Sequence, residues 1–449
     1  MPPAEGGGME IFMKYSNYNL VIRISDDKNI IFNTLTGETF LVGNRLANSV
    51  ENKTFDVLTK EEEENFISKR IIIDDELDEK HMYNYIRNKV IYQNNHLTYT
   101  ILLTWACNLR CIYCYEGAGE IKSDFMTRST SDKIISNMKK EIENRNSRSI
   151  TIFLFGGEPL VNYKEGKYIL EELNEFCTNR GTILNTAIIT NGILLSDEIV
   201  RDLIRFNCKY IQITLDGTKD IHDTRRIRKN GDGTFDDIIS KLHLLKKYED
   251  DLHVVVRVNI DKTNYKRVSE LLEYLKQENL DSFSIDFGIV RGSTESCNDY
   301  EDNCIPDSNL GQVMSELWDL NTKVESNIVS YPMRKWTYCG LDCDNNFTID
   351  PLGNVYKCWE HVGNEKHLMG VISANGDIVN VNPKFYKWMT QSPVNNDVCG
   401  NCIYLPACGG GCRSISFDKN KDFHTSQCFK IKGVLEEEIK LIFKDKISE

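Results

Sequence analysis

The middle of the chain alternates short apolar stretches with longer amphipathic ones. Between residues 98 and 290, continuous apolar runs alternate with segments in which apolar residues recur at helical spacing. Strands covered on both faces have such continuous apolar runs, and their alternation with amphipathic helices is typical of parallel βα units. Six such units predict an α/β protein built on a partial (β/α)6 TIM-type barrel. The predicted strands are Tyr99–Trp105, Ile150–Phe155, Leu184–Thr190, Tyr210–Leu215, His253–Asn259 and Phe283–Phe287.

Two regions with other patterns flank this barrel. Residues 11–90 contain short alternating stretches with Asp-Asp-Lys and Thr-Gly-Glu turns, followed by acidic helical stretches near Lys60–Ser68 and Asp75–Lys89. This region is too small for a catalytic scaffold and predicts a winged-helix-like recognition domain. Residues 338–430 are rich in cysteine and Gly-containing turns and show little helix signal, whereas Gly433–Lys444 has a helical pattern. The predicted divisions are a tail at 1–10, the recognition domain at 11–90, the barrel at 98–290, a bridging region at 291–337, the cysteine-rich domain at 338–430 and a C-terminal helix at 431–449.

Composition narrows the class of protein. No apolar run approaches the roughly 20 residues that span a bilayer, and residues 1–10 lack the basic start and apolar core of a signal peptide. We therefore expect a cytoplasmic protein without a membrane partner. The net charge of −13 argues against nucleic acid as the main partner. Fifteen cysteines, an odd number, in such a chain are better explained by thiolate metal sites than by disulfides.

Three cysteines follow the first predicted strand in one short loop. Cys107, Cys111 and Cys114 lie at the carboxyl end of that strand, where parallel βα folds carry their chemistry. Three thiolates at this spacing can bind three irons of a cubane and leave the fourth iron open, whereas a structural site normally fills all four positions. Burial of the three cysteines in a core strand is the simpler alternative, but their spacing within one loop argues against it.

The run Cys-Asn-Leu-Arg-Cys-Ile-Tyr-Cys-Tyr resembles the CxxxCxxC signature of the radical S-adenosylmethionine (SAM) enzymes. The resemblance includes an aromatic residue, Tyr115, directly after the last cysteine. It implies that a [4Fe–4S] cluster on Cys107, Cys111 and Cys114 binds the amino and carboxylate groups of SAM. An electron from that cluster would split SAM into methionine and a 5′-deoxyadenosyl radical.

Further strand ends extend this resemblance. Gly156-Gly-Glu-Pro159, after the second strand, resembles the GGEP motif that receives the SAM amino group, and the fourth strand ends in Thr-Leu-Asp-Gly where the family has Ser-Leu-Asp-Gly. Each polar residue could instead be an ordinary cap or loop hydrogen-bonding group. The residues that the resemblance assigns to SAM binding are Tyr115, Gly156, Gly157, Glu158, Pro159, Asn191, Thr214, Asp216, Arg225, Arg257 and Asn259.

The C-terminal cysteines resemble the seven-cysteine pattern of the SPASM extension, which binds auxiliary [4Fe–4S] clusters. Cys343 can supply an eighth ligand, so the resemblance implies two closed clusters and three clusters in all. A zinc ribbon over Cys399–Cys412 is the alternative, because Zn²⁺ also favours four thiolates. Cys177, Cys208, Cys297 and Cys304 are left for packing or loops. By resemblance, one auxiliary cluster takes Cys339, Cys343, Cys358 and Cys412, and the other takes Cys399, Cys402, Cys408 and Cys428.

A small recognition domain before such a barrel and extension resembles the enzymes that mature ribosomally made peptides, above all the streptide type, which joins lysine and tryptophan carbons. The resemblance implies a precursor peptide whose leader adds to the edge of the small sheet. It also implies an external electron donor of the flavodoxin or ferredoxin kind. Because hydrogen abstraction followed by bond formation leaves one surplus electron, an auxiliary cluster would accept it.

Two other peptide-directed functions compete with the crosslink. Thioether-forming maturases use the same three-cluster layout, and so do anaerobic sulfatase-maturating enzymes. In the latter family an Asp follows the cysteine equivalent to Cys358 and acts as the base, whereas here Trp359 follows it, with Glu360 beyond. Glu360 is therefore a speculative catalytic base, or equally a surface carboxylate. A non-catalytic Fe–S carrier would not explain an open three-cysteine loop beside a GGEP turn.

Overall fold

A computed structural model describes residues 12–117, 120, 122–292, 295–323 and 334–444. The predicted tail at 1–10, the Cys297 side chain, part of the bridging region and residues 445–449 lie outside the described part of the chain. Among the described residues, no helix is both long enough and apolar enough to cross a membrane.

A twisted sheet of six parallel strands forms the centre of the molecule, which confirms the predicted α/β partial barrel. Its strands run in the order β13-β12-β10-β9-β8-β6. Each predicted strand is present within a few residues of its expected bounds, because continuous apolar runs need cover on both faces. The strands are β6 (His96–Leu102), β8 (Ser149–Phe155), β9 (Ile183–Thr190), β10 (Cys208–Thr214), β12 (Val254–Ile260) and β13 (Ser284–Ile289), and a short strand β7 (Leu109–Cys111) follows β6.

Helices return the chain between these strands and cover the outer face of the sheet. The core between the two layers consists of aliphatic side chains such as Ile152, Ile188, Ile213 and Val256, all fully buried. Local signals set the helix ends: Thr127 and Ser196 cap helix N-termini with their side chains, and Gly181 ends a helix in the left-handed region. The elements are α4 (Arg128–Arg145), α5 (Tyr163–Arg180), α6 (Asp197–Arg205), α7 (Lys219–Arg225), β11 (Arg226–Arg228), α8 (Phe235–Lys246), α9 (Val268–Gln277) and α10 (Leu310–Lys323).

The N-terminal region holds a three-stranded antiparallel sheet, as its alternating pattern predicts. The strands run in the order β2-β3-β4, and β1 and β5 form a separate antiparallel pair. One face of the sheet packs on the region's own helices, through Ile31, Val50 and Phe66. The elements are β1 (Met13–Tyr15), β2 (Asn19–Arg23), β3 (Lys28–Asn33), β4 (Thr39–Gly43), α1 (Asn44–Asn52), α2 (Lys60–Ser68), β5 (Ile72–Asp74) and α3 (Glu79–Ile91).

The cysteine-rich region departs from its sequence pattern in two ways. It contains four short helices, of four to eight residues, despite its weak helix signal. It also extends the central sheet, because β14 pairs in parallel with β6 and an antiparallel β15-β16-β17 meander follows. The elements are β14 (Asn346–Ile349), β15 (Asn354–Tyr356), β16 (Gly370–Ile372), β17 (Ile378–Val379), α11 (Pro383–Met389), α12 (Asp397–Gly400), α13 (Leu405–Cys408), α14 (Arg413–Asn420) and α15 (Val434–Ile442).

The N-terminal sheet packs directly on this cysteine-rich region. Leu20, Ile22, Ile30 and Phe32 of β2 and β3 share an apolar cluster with Cys408 and with residues of the C-terminal helix α15. The Thr34 hydroxyl also donates a 2.6 Å hydrogen bond to the carbonyl of Ile403. The small sheet is thus part of the cysteine-rich region's core.

Candidate active site

The loop with the first three cysteines lies at the carboxyl end of β6. Its middle pairs antiparallel with β11, so that Arg226 lies opposite Cys111. Burial raises the pKa of the Cys107 thiol to about 12, and the nearby Cys111 and Cys114 add to the rise. None of the three forms a disulfide. Three half-buried thiols that disfavour one another's charge suit a cation held between them, because a metal stabilises the thiolates.

The GGEP turn is seated on the strand end that leads into this loop. The backbone N–H of Gly157 donates to the Thr104 carbonyl and that of Glu158 to the Ala106 carbonyl, both at 3.0 Å. A Cβ on Gly156 would lie 2.4 Å from the Thr104 oxygen, and one on Gly157 would lie 2.4 Å from the Trp105 oxygen. Only glycine allows this approach of two backbones. Pro159 begins a 3-10 turn, Pro159–Asn162, directly after the motif.

Glu158 is fully buried and joins two strand ends. Its carboxylate accepts hydrogen bonds from the Thr190 hydroxyl (2.7 Å), the Asn191 backbone N–H (2.8 Å) and the Leu160 backbone N–H (3.0 Å). Burial raises the pKa of Glu158, and these hydrogen bonds oppose the rise. Glu158, which is predicted to bind SAM, thus also holds the ends of β8 and β9 together.

Asn191 links this carboxylate to the cysteine loop. Its side-chain amide donates a 2.7 Å hydrogen bond to Oδ1 of Asn108, the residue after Cys107. The Nδ2 group of Asn108 is buried and has no hydrogen-bond partner among the described residues. A buried donor without a partner costs free energy, so this amide suits a ligand beside the cysteines.

Asp216 is the centre of a second network, which the sequence motifs revealed only in part. Its carboxylate accepts hydrogen bonds from the Asn259 backbone N–H (3.0 Å), from the Tyr113 hydroxyl and from Arg225 Nε (3.4 Å). Tyr113 lies inside the cysteine run, between Cys111 and Cys114, and was not among the predicted site residues. The hydroxyl of Tyr113 also accepts from Arg226 Nη1 at 2.8 Å.

Arg225 and Asn259 have their hydrogen-bonding groups occupied within the protein. Arg225 donates to Asp261 at 2.6 Å and to the carbonyl of Asn259 at 2.9 Å. Asn259 donates its side-chain N–H to Tyr113 at 3.1 Å. The two residues therefore brace the strand ends around the loop. Asp261 was not singled out in the sequence because a lone Asp after a strand carries no distinctive signal.

Thr214 and Arg257 lie opposite each other on β10 and β12. Thr214 is buried at the end of its strand. Arg257 forms an ion pair with Asp286 on β13, and its Nε donates to the Asn259 side chain at 3.2 Å. Its guanidinium occupies the space over Gly288 that any side chain there would need.

Tyr115 and Glu360 bring the cysteine loop to the C-terminal region. Burial raises the pKa of Tyr115 well above its ordinary value, and the charges that add to the rise include those of Glu360, Cys114 and Cys358. The carboxylate of Glu360 pairs with Arg291 and accepts a 3.4 Å hydrogen bond from the Ser414 hydroxyl. Glu360 would have to break its ion pair with Arg291 to act as a base.

The other eight predicted cluster cysteines lie in two sets of four, which we name the Cys339 group and the Cys399 group after their first members. In each set burial raises the thiol pKa values, and the charges of other members add to the rise. Burial raises the pKa of both Cys339 and Cys399 to about 12. None of the eight forms a disulfide. The Cys339 group is Cys339, Cys343, Cys358 and Cys412, and the Cys399 group is Cys399, Cys402, Cys408 and Cys428.

The Cys399 group lines one small pocket with Tyr404, Leu405, Gly410 and Gly411. Gly410 and Gly411 have φ values of +100° and +80°, so only glycine turns the chain this sharply between Cys408 and Cys412. A pocket walled by four thiols, with no His, Asp or Glu among the residues that line it, fits a four-thiolate metal centre.

Two histidines near the Cys339 group were missed in the sequence because they form no recognised motif. His361 and His367 are buried and stack at 3.6 Å, and the Asp418 carboxylate lies 3.2 Å from His361 Nε2. The ring planes are parallel within 16°, so the two imidazoles cannot both point at one ion. We therefore regard the pair as packing and not as a metal site.

Comparison with known proteins agrees with this geometry. Residues 101–275 match the family model of the Radical SAM superfamily, so the chain contains a radical SAM domain. A cysteine-type anaerobic sulfatase-maturating enzyme from Clostridium novyi (strain NT) is 25% identical over 332 residues, which cover 68% of this chain and 85% of that relative.

Two solved structures have the same fold. The anaerobic sulfatase-maturating enzyme anSMEcpe, with bound AdoMet and the Kp18Cys peptide, aligns with a TM-score of 0.61 at 17% identity, over 78% of this chain and 98% of that one. Streptococcus suis SuiB, bound to its precursor peptide SuiA, aligns with a TM-score of 0.54 at 15% identity, over 93% of this chain and 99% of that one. The chain thus contains a radical SAM domain and shares the fold of these two structures.

Proposed function

We propose that this enzyme cleaves SAM reductively and uses the 5′-deoxyadenosyl radical to install a carbon–carbon crosslink, of the lysine–tryptophan type, in a ribosomally made precursor peptide. The observation that carries the proposal is the seating of the GGEP turn on the strand end that leads into Cys107, Cys111 and Cys114. A [4Fe–4S] cluster on these cysteines would supply the electron that splits SAM.

The residues around that loop would bind and orient SAM. Glu158 positions Asn191, and Asn191 in turn fixes the side chain of Asn108. The remaining donor of Asn108 is then available to a carboxylate beside the cysteines. Asp216, Tyr113 and Asn259 hold the opposite wall, which keeps the loop from moving when its charge changes.

The Cys339 and Cys399 groups would each bind an auxiliary [4Fe–4S] cluster, for a total of three. The proximity of Tyr115 and Cys358 supports the Cys339 group as the acceptor of the surplus electron, because electron transfer is faster over a short distance. An external flavodoxin- or ferredoxin-like donor would supply electrons from outside.

Peptide recognition would belong to residues 11–90. Strand β4 pairs with β3 on one side only within the described residues, and Leu41 at its middle is 46% exposed. Such an edge can take a further strand through main-chain hydrogen bonds. The likeness to SuiB, which was solved with its precursor peptide, extends over 93% of this chain and supports a leader as the added strand.

Sulfatase maturation is a second candidate, favoured by the relative from Clostridium novyi. Against it, Trp359 occupies the position directly after Cys358, where that family has its Asp, and Glu360 is paired with Arg291. A thioether-forming maturase remains the nearer alternative to the carbon–carbon crosslink, since both reactions remove two hydrogens and need the same metal sites.

Mass spectrometry of peptides treated with reduced enzyme and SAM separates the three reactions. A carbon–carbon crosslink removes two hydrogen atoms and leaves every cysteine thiol open to alkylation, with fragments joined between a lysine and a tryptophan. A thioether also removes two hydrogens but protects a cysteine from alkylation. A sulfatase-type substrate would gain an aldehyde that reacts with a hydrazide, and conversion of that peptide alone would overturn the proposed crosslink.

A further inference from the structure

Three buried cations lie near Cys343, one member of the Cys339 group. Lys357 is 2% exposed, Arg413 is 5% exposed and Arg87 is 1% exposed. Their charges favour the thiolate of Cys343, although burial dominates and raises the pKa of that thiol. Lysine and arginine are rarely buried to this degree without a partner of opposite charge. The groups that neutralise these charges therefore indicate what kind of ligand this part of the protein binds.

Only one of the three cations has a carboxylate partner among the described residues. Arg413 pairs with Asp342 at 2.9 Å, and both side chains are 4% exposed. Lys357 instead donates to two neutral acceptors, the carbonyl oxygens of Cys343 (2.6 Å) and Asn346 (2.7 Å). Arg87 donates to the carbonyl of Gln391 at 2.9 Å, and its Nε has no partner in the described part of the chain.

Lys357 and Arg87 thus form no ion pair with a carboxylate in the described part of the chain, although Asp342 acts on both, and Asp344 on Lys357, from a longer distance. A buried charge of this kind costs several kcal/mol unless an anion is close. Four thiolates around an oxidised cubane, whose iron–sulfur core carries two positive charges, form a net dianion. A cluster in the Cys339 group would therefore balance Lys357 and Arg87.

The Cys399 group has a different environment. Among the residues that line its pocket, the cation is Lys432, which is exposed to solvent, and Cys428 is exposed as well. Water screens a charge at the surface far more than one in the core. A cluster there would be neutralised mainly by solvent.

We propose that Lys357, supported by Arg87, is the built-in counter-charge of the Cys339-group cluster and raises its reduction potential, so that this cluster accepts an electron more readily. The inference rests on the proposed function, since it requires a cluster in that group. Reduction by one electron changes the cluster from a dianion to a trianion. A fixed buried cation stabilises the trianion more than the dianion, and a fixed buried anion does the opposite.

The test is a redox titration of the reconstituted enzyme with dithionite, followed by electron paramagnetic resonance. The signal that changes when SAM is added identifies the SAM-binding cluster, and the Cys399-group signal is the internal reference. Lys357→Met should lower the potential of the Cys339-group cluster, whereas Asp342→Asn should raise it. Lys357→Arg, which keeps the charge, and Lys419→Met, which removes an exposed lysine in the same region, should leave it unchanged.

The two substitutions of opposite sign keep the test informative if one variant folds poorly. If Lys357→Met loses the cluster through the contact with the Cys343 carbonyl, the upward shift in Asp342→Asn alone supports the proposal. An intact cluster whose potential is the same in Lys357→Met, Asp342→Asn and the unsubstituted enzyme would overturn it. Absence of an iron signal from the Cys339 group in the unsubstituted enzyme would instead contradict the proposed auxiliary clusters.

Discussion

Gly157 and Trp105 approach so closely that a Cβ on Gly157 would lie 2.4 Å from the Trp105 carbonyl oxygen. This contact holds the GGEP turn against the strand end that leads into Cys107. Gly157→Ala should therefore separate the turn from the loop, at a cost of about 1–3 kcal/mol in stability. We expect SAM cleavage to fall sharply and the iron of the SAM site to decrease. Gly43→Ala is the control, because the nearest atom to its Cβ would lie at 3.9 Å. Normal SAM cleavage by Gly157→Ala would contradict this role of the contact.

The number of clusters can be read from iron content. Anaerobic reconstitution should give about twelve irons per chain in three cubanes. Changing Cys107, Cys111 and Cys114 together to Ala should remove about four of them and abolish SAM cleavage, while the other two clusters remain. Changing the buried Cys177 and Cys208 to Ala should leave the iron content unchanged, because these cysteines lie in the barrel core. Survival of SAM cleavage in the triple variant would refute the assignment of the active cluster.

Glu158 should contribute to the stability of the fold as well as to SAM binding. The sequence alone predicts that Glu158→Ala weakens SAM binding more than it disturbs the fold, but the carboxylate also accepts two backbone N–H groups and a hydroxyl. Glu158→Gln keeps the shape and loses part of this acceptor capacity, so we expect a stability loss of roughly 1–3 kcal/mol together with weaker SAM binding.

Urea denaturation and equilibrium SAM binding measure these two effects separately. The exposed Glu175→Gln on helix α5 is the matched control. Unchanged stability with lost SAM affinity would mean that Glu158 serves the ligand alone.

Two positions of the N-terminal sheet should respond differently to substitution. Phe32 is 1% exposed and packs in the cluster that includes Cys408, so Phe32→Ala should cost about 3–5 kcal/mol and reduce the iron of the Cys399 group. Leu41→Lys, on the exposed edge strand, should leave iron and SAM cleavage intact but slow the modification of a leader-bearing peptide.

Iron analysis tests the effect of Phe32→Ala. Turnover of a peptide with and without its leader tests the effect of Leu41→Lys. For the same reason, deletion of residues 11–90 should also lose the Cys399-group cluster. Equal turnover of leader-bearing and leaderless peptide by the unsubstituted enzyme would refute leader recognition.

His222 should make the stability of the barrel dependent on pH. Burial lowers the pKa of His222 to about 4, and its Nδ1 accepts the Asp216 backbone N–H at 3.2 Å. Because the folded pKa lies below the unfolded value of 6.5, this histidine's contribution is complete above pH 6.5 and is lost as the pH falls towards 4. We expect a loss of about 2 kcal/mol by about pH 5.

Urea denaturation across this pH range checks the expectation. His222→Gln should flatten the dependence, whereas the exposed His424→Gln should not. An unaltered slope in His222→Gln would show that other groups cause the acid sensitivity.

Local sequence was enough to predict the six parallel strands and the class of enzyme. A continuous apolar run demands cover on both faces wherever it lies, and the spacing of Cys107, Cys111 and Cys114 places three thiols on one loop. Both signals depend on only a few neighbouring residues, so they can be recognised without knowledge of the rest of the chain. The same applies to the GGEP turn.

Contacts between distant segments could not be read in this way. The pairing of β14 with β6, the packing of Phe32 near Cys408 and the binding of Tyr113 to Asp216 each join residues far apart in the sequence. Lysine is usually a surface residue, yet the fold buries Lys357 beside the Cys339 group. Apolar periodicity and cysteine spacing therefore determined the barrel and the class of chemistry. Only the tertiary structure decided which charges and surfaces meet, because that depends on how separately formed elements bury one another.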